Sequence, residues 1–153
     1  MIMMGDILND STNLASQLVR QIYMDEDFDF VGIALQENSG LRKIRWRYAA
    51  GYTSERFRKI VLRSGIGIAG LVVRTGKPFL ENDLQHNQYS DYVSCPITQI
   101  EQLTSAAAIP LFDHETQGVG GVLLVGYRHA QQQVTQQTIA HLEHYRQSAG
   151  VLI

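Results

Sequence analysis

Strand-like segments in this chain come in neighbouring pairs, and its longer helical segments stand at the two ends. Phe28-Asp-Phe-Val-Gly-Ile-Ala-Leu35 reads as a strand apolar enough to be central. Leu41 to Tyr48 follows it across the turn signal Glu37-Asn-Ser-Gly40. A second pair, Ser105 to Phe112 and Val119 to Tyr127, is joined by Asp113-His-Glu-Thr-Gln-Gly118. At the start, Asp10, Ser11 and Thr12 offer capping oxygens to a helix carrying Leu14, Leu18 and Ile22 and ending in Asp25-Glu26-Asp27. At the other end, Gln131 to Ile153 carries Val134, Ile139, Leu142, Tyr145 and Ala149 on one helical face. Hairpins make an antiparallel sheet, and helices left at the chain ends pack together on one side of it. The expected class is α+β.

Finer expectations follow from local spacing. In the second strand Ile44, Trp46 and Tyr48 share a face that should be covered, while Lys43, Arg45 and Arg47 share a wet one. Ser54 to Leu62 predicts a short helix with Phe57, Ile60 and Val61 inward, and Phe79 with Leu80 a brief strand. The glutamines Gln131 to Gln133, with Gln136 and Gln137, mark a solvated helix start. From Glu81 to Leu103 the chain turns polar, and so long a loop in a compact domain covers or forms a site.

Composition narrows the class of protein. The chain has 153 residues and is expected to form one domain over 1–153. At about 150 residues a chain buries roughly two-thirds of its unfolded surface, so its core needs no staples. Thirteen Lys and Arg against fifteen Asp and Glu give a net charge of −2, which argues against the broad basic footprint of a nucleic-acid binder. One cysteine, Cys95, excludes an intrachain disulfide and a multi-cysteine zinc site. Met1-Ile-Met-Met-Gly-Asp6 lacks a basic segment followed by an apolar one, and no apolar run approaches the roughly 20 residues of a membrane helix. The expectation is a soluble, cytoplasmic protein with neither a nucleic-acid nor a membrane partner.

Several residues could carry chemistry. Gly65-Ile-Gly-Ile-Ala-Gly70 matches the dinucleotide fingerprint letter for letter, but Arg58-Lys-Ile-Val-Leu-Arg63 before it is charged and short. A dinucleotide site needs a buried parallel strand there. Gly76-Lys77 is followed by Pro78, so no hydroxyl is offered to magnesium as a phosphate loop requires. Two meanings remain for the glycines. They form a tight turn packed against the sheet, or they lead into a helix whose first amides and dipole make a small anion or carbonyl site. Trp46, the only tryptophan, is a core residue or a pocket wall. Cys95 is a small apolar filler unless a base such as His86 activates it. His141 and His144 share a helix, but a metal site takes three or more ligands and no other cluster presents itself. Arg42, Lys43, Arg45 and Arg47 form a solvated strand face or attract an anionic partner. No catalytic residue, metal or cofactor is expected.

Taken together, Gly65-Ile-Gly-Ile-Ala-Gly-Leu-Val-Val-Arg-Thr-Gly-Lys-Pro78, Asn82-Asp83, Ser105-Ala-Ala-Ala-Ile-Pro-Leu111 and Gly120-Gly-Val-Leu-Leu-Val-Gly126 resemble the GAF domain family over nearly the whole chain. The resemblance implies an antiparallel sheet with the terminal helices on one face, where they commonly form a homodimer interface, and a ligand pocket with a lid loop on the other. Met4-Gly-Asp-Ile-Leu-Asn-Asp10, Trp46 and the Pro96-Ile97 loop are similar to the branch of that family that senses nitrate for a bacterial sensor histidine kinase. By that resemblance nitrate would sit among Trp46, the backbone of Ile68 and Ala69, and the loop around Pro96 and Ile97, with Leu62, Gly67, Tyr92 and Cys95 also lining the site. The implied role is regulatory and non-enzymatic, in a two-component system controlling nitrate/nitrite respiration. Nitrate is planar, singly charged and weakly hydrated, so amides and an aromatic face can hold it without a buried arginine. A reductase of free methionine sulfoxide shares the fold, but its chemistry needs a second cysteine to resolve the first. A purine-binding module would need a larger, more polar pocket than Ile66, Ile68, Leu71 and Ile97 provide, and haem or bilin attachment lacks its Cys-His arrangement.

Overall fold

The computed structural model describes residues 10–85 and 96–149. Helix α1 (Asp10–Asp25) is followed by the hairpin β1 (Phe30–Gln36) and β2 (Ile44–Ala50), a 3₁₀ turn (Glu55–Lys59) and the two-residue strand β3 (Val61–Leu62). Helix α2 (Gly67–Thr75), strand β4 (Phe79–Glu81), helix α3 (Pro96–Ile100), the hairpin β5 (Ser105–Phe112) and β6 (Val119–Tyr127), and helix α4 (Gln136–Ala149) complete it. The strands form one sheet in the order β3-β2-β1-β6-β5-β4, and every neighbouring pair is antiparallel. This is the expected α+β layout.

Alternation along the central strands divides the core in two. Val31, Ile33, Ala107, Ile109, Leu123 and Val125 face α1 and α4, where Ala15, Leu18, Val19, Ile22, Ile139 and Leu142 close over them. Phe30, Ala34, Ala106, Ala108, Val122 and Leu124 face the other way, under α2, α3 and the 3₁₀ turn. Alanine is a poor strand former by propensity alone. In β5 it is placed by packing, because seven of the eight residues are buried. Pro110 fits in this strand because β4 pairs only with Ala106 to Ala108, so the missing donor lies beyond its neighbour's end.

Several local expectations need correction. Trp46 pairs with Ala34 but Tyr48 pairs with Ile33, so Arg47 is the extra residue of a bulge. The bulge reverses the alternation: Ile44 and Trp46 join the α2 side, while Tyr48 packs on the terminal-helix side. Val61 points outward and is 43% exposed, because the segment ends in a strand and not in a helix; Leu62 is the buried partner. Leu14 is exposed, and Ala15 and Val19 complete the buried stripe of α1. The long polar segment contains α3, and Gln131 to Gln133 precede α4 without entering it.

The end of α1 is tied to the rest by phenols. The Tyr127 hydroxyl donates to Asp27 Oδ1 at 2.7 Å, and Tyr145 on α4 lies 3.4 Å from Asp25 Oδ2 and from Glu26 Oε1. Burial, then the neighbouring carboxylates, pushes the Tyr145 phenol up to about 12, and Tyr127 is pushed up for the same reasons. Unfolded tyrosines ionise near pH 10. Between about pH 10 and 12 the unfolded chain therefore loses protons that the folded chain keeps, and stability falls as pH rises. Urea midpoints measured from pH 8 to 11 should decline at the alkaline end, and Tyr145→Phe should make that decline shallower.

Candidate functional site

The glycine-rich segment forms its turn by backbone alone. Gly65 and Gly67 adopt φ of +90° and +68°, values that favour glycine. Gly70 must stay bare because a Cβ there would stand 2.4 Å from the Arg63 carbonyl oxygen. Within the turn Gly65 N donates to Gly70 O at 2.7 Å, and Gly70 N donates to Ile66 O at 3.1 Å. That second bond is the first of helix α2, whose opening turn runs through Gly67, Ile68 and Ala69. The N-cap residue itself, Ile66, has no side-chain oxygen to offer this end. Tight turn and helix start are thus one structure. The strand before it, β3, is two residues long and antiparallel, which removes the dinucleotide reading.

Helix α2 packs across β5 and β6 and beside β3, and its first residues join the cluster that includes Ile44 and Trp46 of β2. Ile68, Ala69, Leu62, Ile97 and Trp46 belong to one cluster, each at most 4% exposed. Gly67 is buried beside them, and Pro96 opens α3 half-buried. Tyr92 and Cys95, with His86, lie outside the described residues. The cluster itself is built from apolar residues. One polar atom in it stands out: the Trp46 indole Nε1 is fully buried and has no hydrogen-bond acceptor among the described residues. A buried donor left without an acceptor costs about 1–3 kcal/mol. Any group that brings an acceptor to Trp46 recovers that energy.

Beside the cluster lies a charged assembly that local spacing did not reveal. Glu101, fully buried after α3, accepts at Oε1 from Thr53 N at 2.8 Å, Thr53 Oγ1 at 3.2 Å and Arg128 Nη2 at 2.6 Å. Arg128, just after β6, also donates from Nε to Glu101 O, from Nη1 to Asp29 O and from Nη2 to Gly51 O, all within 2.8–3.0 Å. Its backbone amide donates to Asp29 Oδ2 at 2.7 Å. Arg128 thereby fastens the end of α3 to the start of β1 and the end of β2. Gly51 suits this junction at φ +74°, where a Cβ would meet Asp29 O at 2.2 Å.

The other sequence candidates are placed apart from this cluster. Arg45 pairs with Glu37 at 2.9 Å with both side chains over a third exposed, and Arg42 Nη2 donates to Gln36 Oε1 at 3.2 Å. His141 Nδ1 stands 3.8 Å from Glu26 Oε1 on the terminal-helix side. Among the described residues no group of three or more His, Cys, Asp or Glu is arranged to hold a metal, and no helix is long and apolar enough to cross a membrane.

This architecture defines a family. The GAF domain model matches residues 9–153, and the chain belongs to the GAF domain family. A hypothetical protein from S. aureus is 32% identical, with a TM-score of 0.70 over 78% of this chain and 97% of that one. The NreA protein from Staphylococcus aureus, solved with a mutated nitrate binding site, is 31% identical, with a TM-score of 0.72 over 85% of this chain and 93% of that one. Free methionine-R-sulfoxide reductase from Neisseria meningitidis, in complex with its substrate, is 17% identical at a TM-score of 0.71, over 91% of this chain and 74% of that one, a likeness of fold alone. No curated protein matches the chain.

Removing one partner of a buried pair strands the other charge. Glu101→Ala should cost about 3–5 kcal/mol in chemical denaturation, while Glu37→Ala, at the exposed pair, should cost under about 1 kcal/mol. Gly51→Ala should cost about 2–4 kcal/mol in the same measurement, from the strained φ and the blocked carbonyl.

Proposed function

We propose that this chain is a non-enzymatic receptor for nitrate. The observation that carries the reading is the buried Trp46 Nε1 without an acceptor among the described residues. It lies in the cluster that Ile68 and Ala69, from the first turn of α2, also join. An indole donor and the positive end of a nine-residue helix suit a small acceptor of single negative charge. Apolar walls from Leu62, Ile68 and Ile97 favour an anion that gives up water readily, as nitrate does and sulfate or phosphate does not. The 31% identity to NreA, described by its nitrate binding site, supports the same ligand. Pro96, at the head of α3, would border the site.

Signalling by contact follows from the same resemblance. The receptor would act in the cytoplasm, docking on a sensor histidine kinase of a two-component system for nitrate/nitrite respiration and modulating its autophosphorylation. Two copies would meet through the terminal helices, where α1 presents Leu14, Tyr23 and Met24 to the outside. A reductase role is disfavoured because the chain holds one cysteine, Cys95, and thiol chemistry on methionine sulfoxide uses a second to resolve the first.

Calorimetric titration of nitrate, with Trp46 fluorescence as a second signal, should give saturable binding. Trp46→Phe keeps an aromatic wall but removes the donor. It should weaken binding by at least about tenfold, the worth of one hydrogen bond to a charged group. An absence of saturation at millimolar nitrate would sink the proposal.

A further inference from the structure

Strand β1 carries a glycine, Gly32, at its centre, between Ala49 on β2 and Leu124 on β6. A glycine inside a central strand packs nothing and weakens the strand, so its presence marks a place where something approaches closely. Here the backbone is ordinary, without a positive φ, and the space above it is the cause. A Cβ on Gly32 would stand 2.9 and 3.0 Å from Cε2 and Cζ of Phe30, and 3.2 Å from Cζ3 of Trp46. Trp46 pairs with Ala34, yet the edge of its ring reaches the neighbouring position of β1.

Cζ3 and Nε1 lie on opposite edges of an indole. A push on the first rotates or lifts the second, because the ring is rigid. The ring is buried, 1% exposed, in a closely packed cluster, so it has little freedom to absorb the push by sliding. A hydrogen bond tolerates only a narrow range of distance and angle. We propose that Gly32 is the positioning residue of the anion site: its missing side chain seats the Trp46 ring at the depth that presents Nε1 to the ligand. Gly32 itself touches no ligand. The inference rests on the nitrate reading above and extends it to a residue on the far side of the indole.

The single tryptophan makes the test direct, because the protein shows one indole N–H resonance. In wild type, nitrate should move that resonance in a saturable titration. Gly32→Ala should retain a cooperative thermal transition, show a displaced indole resonance without ligand, and bind nitrate at least about tenfold more weakly by calorimetry, as expected when one charge-assisted hydrogen bond is misaligned. If Gly32→Ala alone does not fold, Gly32→Ala/Phe30→Leu removes the two closest ring atoms and leaves the Trp46 contact. Its affinity is then compared with that of Phe30→Leu, and the same drop is expected. Wild type that fails to bind nitrate overturns the ligand reading. Wild type that binds, with Gly32→Ala binding within twofold of it, overturns the role of Gly32 alone.

Discussion

Arg128 holds the sheet and the candidate site in one frame. Its guanidinium reaches three carbonyl oxygens and one carboxylate, on segments separated by up to about a hundred positions in the chain. Burying Glu101 completely would be costly for a lone carboxylate. The forked donors of arginine and the amide and hydroxyl of Thr53 offset that cost by converging on one oxygen. The result is directional. An apolar contact would let α3 slide along the sheet, whereas these bonds locate its end against the strands, and with it Ile97 in the buried cluster.

What could be recognised from residues alone depended on whether the determinant was local. Ser105–Phe112 and Val119–Tyr127 appear with the expected bounds because apolar runs and the intervening turn specify them within twenty-odd residues. Leu62, Ile68, Ala69 and Ile97 share a buried cluster with Trp46, and only the family pattern, not periodicity, relates these distant segments to one another. Periodicity alone left Trp46 as core or pocket wall. The bulge at Arg47 could not be foreseen, since Ile44-Arg-Trp-Arg-Tyr48 alternates without a break and only pairing with β1 shows the extra residue. Glu101 falls near the end of the polar stretch from Glu81 to Leu103, where no local pattern marks it. Its partner Arg128 is 27 positions away, and nothing in either neighbourhood points to the other.

The bulge and the glycines serve the same geometry from two sides. By turning Tyr48 to the terminal helices, the bulge confines the aromatic presence of β2 on the α2 face to Trp46. Small residues on the strand beside it, Gly32 and Ala34, and Ala106 and Ala108 farther across the same face, keep the floor low. Gly65, Gly67 and Gly70 then bring a helix start down over that floor with backbone rather than side chains at its tip. Volume removed from one layer is occupied by the ring and helix of the next.

The outer strands of the sheet have only two and three residues, β3 and β4. Growth of a sheet by recruitment of foreign chains needs a longer run of free backbone donors and acceptors than these provide. Beyond β4, where β5 outruns its neighbour, Pro110 supplies no donor at all. At these two rims a foreign strand finds little rim backbone to pair with, and the sheet's apolar faces are covered by helices instead of by further strands.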